Sequence, residues 1–201
     1  MLLKSLAVIA LALITVACDQ QPSQSPGRFT STEITGVPWG QDFDLTDHLG
    51  RPLKLADFRG KAVMLFFGYT NCPDICPVTM AKMASVVKDL GDGRQRVQGL
   101  FVTLDPARDT APVLKKFVTA FNPDFLGLTG EAAAITALAK EFKMFVAVRE
   151  ADPQGRYDVD HGGGVFVFDP SGRLRLFMRD DLSVDVMTAD LTRLLRDNRS
   201  L

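Results

Sequence analysis

Net charge is the first thing this sequence lacks. Its 23 lysines and arginines stand against 24 aspartates and glutamates, so no overall field favours nucleic acid or an anionic membrane surface. No nucleic-acid partner is expected. Cysteine and histidine are scarce, with 3 and 2 in 201 residues, so thiol or imidazole chemistry must rest on a handful of positions. No internal repeat and no second domain boundary is visible. A chain of this length with 46% hydrophobic residues builds one core and is too short for two large domains.

The longest apolar run is N-terminal. Residues 1–17, MLLKSLAVIALALITVA, give a short basic start, an apolar stretch too short for a comfortable membrane span, and small residues before Cys18. The ending Thr15-Val16-Ala17-Cys18 resembles a bacterial lipoprotein signal, which implies a lipidated Cys18 as the first mature residue. The alternative is an ordinary cleaved signal that leaves Cys18 a spare thiol. Asp19 resembles the signal that keeps such lipoproteins in the inner membrane. Residues 18–35, rich in Gln, Ser, Thr and Pro, read as a flexible tether, and residues 36–201 as the folded domain. Export places the chain where thiols pair unless something uses them.

Within the domain, residues 43–47 and 53–55 flank Gly50-Arg51-Pro52 as a hairpin. Residues 62–67, AVMLFF, are a continuous apolar run between glycines, as in a strand buried on both faces. Further strands are expected at 97–104, 125–128, 142–149, 165–168 and 174–178. Helices are expected from Pro77 to Leu90, from Asp109 or Thr110 to Phe121, and over 131–141 and 184–195. Strands alternate with helices and a hairpin closes the sheet, so the fold class is an α/β sandwich with a mixed sheet flanked by helices.

The segment 68–77, GYTNCPDICP, carries Cys72 and Cys76 directly between a buried strand and a helix. A disulfide closing so short a loop contributes roughly 2 kcal/mol, against about 4.7 for a loop of about 100 residues, so a staple explains little. A cysteine at a helix N-terminus is expected to gain thiolate character, which suits a nucleophile and a metal ligand alike. The arrangement resembles thioredoxin-like proteins, whose usual spacing is C-x-x-C. Here it is C-x-x-x-C, which permits a disulfide and suits two thiolates converging on one ion. A thioredoxin-type reductase also normally has a cis-proline before a later strand, but no proline lies between Pro153 and Pro170. His161 stands near that place, beside Gly162, Gly163 and Gly164.

Taken alone, His48 in its polar turn reads as a solvated loop residue. Two thiolates and the His161 imidazole are too few for a closed structural zinc site. They suit copper, because thiolates hold Cu(I) and imidazole accommodates Cu(II) as well. Met80 and Met83 fall on the apolar side of their helix and read as core. In the run Asp105-Pro-Ala-Arg108-Asp109-Thr110, a helix cap with a surface ion pair competes with electrostatic tuning or partner docking.

These motifs resemble the Sco (SenC) family of copper chaperones for cytochrome oxidase assembly. The resemblance runs over about residues 43–195 and rests on C-P-D-x-C-P, on D-P-x-R-D-T, and on the downstream Asp160-His161. It implies a thioredoxin-like fold and copper, as Cu(I) and Cu(II), on Cys72, Cys76 and His161. It also implies transfer to the copper-binding subunit of cytochrome c oxidase at the periplasmic face of the bacterial inner membrane. Another periplasmic copper chaperone or a thioredoxin-like reductase is a further implied partner. The alternative function is thiol–disulfide exchange by Cys72 and Cys76 that keeps a target's cysteines reduced. The glycine run after His161 departs from the family's pattern and is expected to loosen that loop.

Overall fold

The structure is a computed structural model and describes residues 28–197. The expected α/β sandwich is found. Its strands are β1 (Thr32–Glu33), β2 (Asp44–Asp47), β3 (Pro52–Lys54), β4 (Ala62–Gly68), β5 (Val97–Thr103), β6 (Leu126–Thr129), β7 (Val146–Val148), β8 (Val159–His161), β9 (Val165–Phe168) and β10 (Leu174–Met178). Its helices are α1 (Ile75–Asp89), α2 (Ala111–Phe121), α3 (Ala132–Glu141) and α4 (Val184–Asp197). Eight strands form one mixed sheet in the order β1-β10-β9-β4-β5-β6-β2-β3. β4, β5 and β6 run parallel, and the strands outside them pair antiparallel.

β4 lies between β5 and β9, and each of its residues is buried. Alternation along it sends neighbouring rings to opposite faces. Phe66 meets Phe101, which in turn meets Phe117 of α2. Phe67 meets Phe142 and Phe166, and Phe142 also packs on Phe168. In α1 the buried residues Cys76, Thr79, Met80, Met83 and Val87 recur at helical spacing. Met80 and Met83 are core, as expected.

Three expectations need correction. The strand expected over 142–149 is only Val146–Val148, and it pairs with β8 in a two-stranded ribbon separate from the main sheet. The domain begins before residue 36. Phe29 is buried, the Thr30 and Ser31 N–H groups donate to Asp190 of α4, and β1 pairs with β10. His48 is not solvated; its Nδ1 accepts the Gly127 N–H at 3.0 Å and its own N–H donates to the Gly127 carbonyl. Burial holds its imidazole below the ordinary histidine range, which suits a nitrogen that accepts.

A short motif recurs three times. Asp47-x-x-Gly50-Arg51, Asp152-x-x-Gly155-Arg156 and Asp169-x-x-Gly172-Arg173 each make the same turn. In each, one aspartate oxygen accepts backbone N–H groups two and four residues on, and the other accepts the arginine Nε–H at 2.8 to 3.0 Å. The glycines adopt φ of 82°, 79° and 76°, the left-handed conformation that the turn requires. Two of these turns close the β2–β3 and β9–β10 hairpins, and the third shapes the excursion between β7 and β8.

All three carboxylates are held below the usual aspartate range. Burial opposes this in Asp47 and Asp169, but hydrogen bonds from the turn outweigh it; for Asp152 the Arg156 N–H leads. A depressed folded-state pKa contributes stability above the unfolded value and loses it as pH falls through the folded one. Stability to urea is therefore expected to fall as pH drops below about 4. Asp169→Asn should flatten that dependence, as read from denaturation midpoints between pH 7 and pH 3.

Candidate metal centre

The chain leaves Gly68 at the end of β4 and runs through residues 69–74 into α1. Cys76, the second residue of α1, is fully buried, whereas Cys72 in the loop is half-buried. The sulfur can approach the strand because Gly68 has no side chain. A β-carbon there would stand 2.8 Å from Cys76 Sγ and 2.9 Å from the Phe101 ring. The Cys76 N–H points at Cys72 Sγ, 3.4 Å away, and the two cysteines are unbridged. Burial pushes the Cys76 thiol up. At Cys76, desolvation of the buried sulfur works against the thiolate that a helix N-terminus favours.

His161 arrives from a distant part of the chain. It ends β8, directly across the ribbon from Val146, and its neighbour Asp160 is gripped by both sides of the Arg149 guanidinium at 2.8 Å. The imidazole sits edge-on to Phe66 and Tyr69, with ring centroids 6.2 and 6.0 Å away. Its Nδ1 lies 3.0 Å from the Gly162 carbonyl. A carbonyl only accepts, so Nδ1 carries the proton and Nε2 presents a lone pair. Nε2 is 3.3 Å from Cys76 Sγ. The ligand atoms of Cys72, Cys76 and His161 all lie within 4.8 Å of one another and could hold a metal ion.

The glycine run does not loosen this arrangement. A β-carbon on Gly163 would meet Ile75 Cδ1 at 2.6 Å and Asp180 Oδ2 at 2.8 Å. Gly164 has φ 117° and would meet Phe177 at 2.5 Å. The run is a tight passage that lets the histidine strand cross close to the start of α1. Gly162 alone has room, with Met144 at 3.7 Å.

Asp109 is not a helix cap either. It is buried, and its carboxylate accepts the Thr70 N–H at 3.0 Å, the Thr70 hydroxyl at 2.5 Å and the Thr103 hydroxyl at 2.6 Å. Burial raises its pKa against these hydrogen bonds. It therefore ties the root of the cysteine loop to β5. Only its place just after a buried strand hinted at this. Beside Cys72, Cys76 and His161 opens a cleft of about 290 Å³, lined by Cys72, Asp74, Asp158, Asp160 and His161 among others. A larger hollow of about 670 Å³ between α3 and β7 contains none of the three. Cys18 lies outside the described residues.

A thioredoxin-like sheet with two cysteines and a histidine converging beyond the end of its central strand defines the class. The model of the SCO1/SenC family matches residues 31–196, and this chain belongs to that family. It is 37% identical over 192 residues to the mitochondrial protein SCO2 homolog of Bos taurus, covering 94% of this chain and 72% of that one. The solution structure of apo Sco1 from Thermus thermophilus is similar with TM-score 0.74 and 37% identity, covering 83% of this chain and 96% of that one. Bradyrhizobium japonicum ScoI, solved with copper bound, is similar with TM-score 0.70 and 29% identity, covering 76% and 97%.

The tight passage makes a contrast within the glycine run. Gly164→Ala, at φ 117° and with the Met178 carbonyl 3.0 Å from the added carbon, should lower stability by about 1–3 kcal/mol, whereas Gly162→Ala should change it by about 0.5 kcal/mol or less. Chemical denaturation of the two variants checks this; equal effects would show a slack loop.

Proposed function

We propose that this protein is a membrane-anchored copper chaperone that binds one copper ion through Cys72 Sγ, Cys76 Sγ and His161 Nε2 and delivers it to the copper-binding subunit of cytochrome c oxidase. The observation that carries this reading is the convergence of two sulfurs on an imidazole nitrogen whose proton is already held on the far side of the ring. Two thiolates suit Cu(I), and the added imidazole suits Cu(II). Three ligands beside an open cleft leave a direction from which an acceptor's ligands can take over. Loading requires the ion to displace the thiol protons. The copper-bound relative and the resemblance of the motifs to oxidase-assembly proteins support the cargo and the recipient. The signal-like N-terminus with Cys18 supports a lipid anchor at the periplasmic face of the bacterial inner membrane.

The proximity of Cys72 and Cys76 also favours a second reading, thiol–disulfide exchange. In it, Cys72 and Cys76 are oxidised to a disulfide while a disulfide of the recipient's copper site is reduced to two thiols. The half-buried Cys72 is the more accessible sulfur for the first attack.

Anaerobic copper titration of the full chain beside Cys72→Ser and His161→Ala checks the first reading. One copper per chain is expected, with loss of Cu(I) binding in Cys72→Ser and a larger loss of Cu(II) than of Cu(I) in His161→Ala. Wild-type binding no better than that of either variant would refute it. Reduction of a recipient disulfide at a useful rate without copper would establish the second. For the anchor, Cys18→Ser should move the expressed chain from the membrane to the soluble fraction and abolish labelling by a radioactive fatty acid.

A further inference from the structure

The β7–β8 ribbon that carries His161 pairs with no strand of the main sheet, and a two-stranded ribbon is marginal by itself. Something must hold its entrance if His161 is to stay over the cysteines. At that entrance stands Tyr157, two residues before β8 and four before His161. The Arg108 guanidinium lies over its ring, 3.5 Å from the centroid, and Nη1 donates to the Tyr157 carbonyl at 2.8 Å. Arg108 is also ion-paired with Asp105, whose second oxygen accepts the Tyr157 hydroxyl at 2.8 Å. One side chain is thus gripped at its backbone, its ring and its tip. Tyr69, which abuts the His161 ring and opens the cysteine loop, is 5.7 Å from the same guanidinium. Next to Arg108, Asp109 holds Thr70 of that loop.

We infer that Arg108, with Asp105, is a positioning residue that clamps Tyr157 and so holds His161 Nε2 against the two cysteine sulfurs. Residues 105–109 thereby bind both halves of the site, the cysteine loop through Asp109 and the histidine ribbon through Arg108. This rests on the proposed copper site, and it assigns the clamp to the His161-dependent part of binding. Cys72 and Cys76 sit on the strand-to-helix connection and keep their places without it. A lysine cannot replace the arginine, since it has neither the planar face that stacks nor the fork that reaches both Asp105 and the Tyr157 carbonyl.

Two readouts on the full chain test the clamp. In copper binding, Arg108→Ala and Arg108→Lys should each weaken Cu(II) by about 10- to 100-fold and remove the nitrogen hyperfine signature from its electron paramagnetic resonance spectrum. Cu(I) affinity by chelator competition should change less than about threefold. Tyr157→Ala should behave alike, and Tyr157→Phe, which keeps the stacked ring, should retain most Cu(II) affinity. In metal-free hydrogen exchange, Arg108→Ala should release the amides of residues 159–162 and leave β4 and β5 protected. Wild-type Cu(II) affinity and spectrum in Arg108→Ala would overturn the inference, as would equal loss of both oxidation states together with exchange throughout the sheet. A wild type that binds no copper, in a protein whose residues 159–162 are released by Arg108→Ala, would refute the copper reading and uphold the clamp.

Discussion

A sulfur atom occupies the space that a side chain on Gly68 would need, and the site follows from that packing. Because Gly68 ends the most buried strand of the sheet, Cys76 is held against a part of the molecule that cannot move aside. The same closeness excludes water from the sulfur and favours the protonated thiol. Cys72, one loop away and half-buried, is left as the approachable member of the pair. The two cysteines are therefore unequal before any ion or partner arrives. One is a fixed post, and the other is the point of access.

Everything else in the site brings distant backbone to that post. His161 lies 85 residues beyond Cys76 and is carried on a ribbon outside the main sheet. Three kinds of force steer it: the edge-on rings of Phe66 and Tyr69, the close passage at Gly163 and Gly164, and the polar cluster on residues 105–109. None of these is a ligand. Their effect is to make a three-residue site out of a loop, the start of a helix and the end of a strand.

The central strand, α1 and the β9–β10 hairpin were legible in the sequence because each is written in a local pattern of burial or turn residues. The cysteine loop was legible for the same reason. That His161 joins it was legible only through a resemblance between motifs, since nothing in a single histidine beside glycines encodes where its strand will lie. Where polarity stood in for exposure, reading failed. His48 sits in a turn of polar residues yet is buried against Gly127, and Asp109 looks like a cap yet points inward. Gly162 to Gly164 read as slack because a missing side chain signals freedom or contact equally, and only the neighbours decide. Two of the three Asp-x-x-Gly-Arg turns were legible as hairpin turns, but that all three are one motif passed unseen, for it recurs at no fixed period.

The proton on His161 is held by the carbonyl of the very next residue. In many metal sites the outer partner of a histidine is a carboxylate, which can be lost by a single substitution. Here that partner is a main-chain atom, present whatever amino acid the codon at position 162 specifies. The tautomer of the ring is thus inherited with the path of the backbone. Natural variation can displace this imidazole by moving its strand, but no exchange of a side chain can delete the group that orients it.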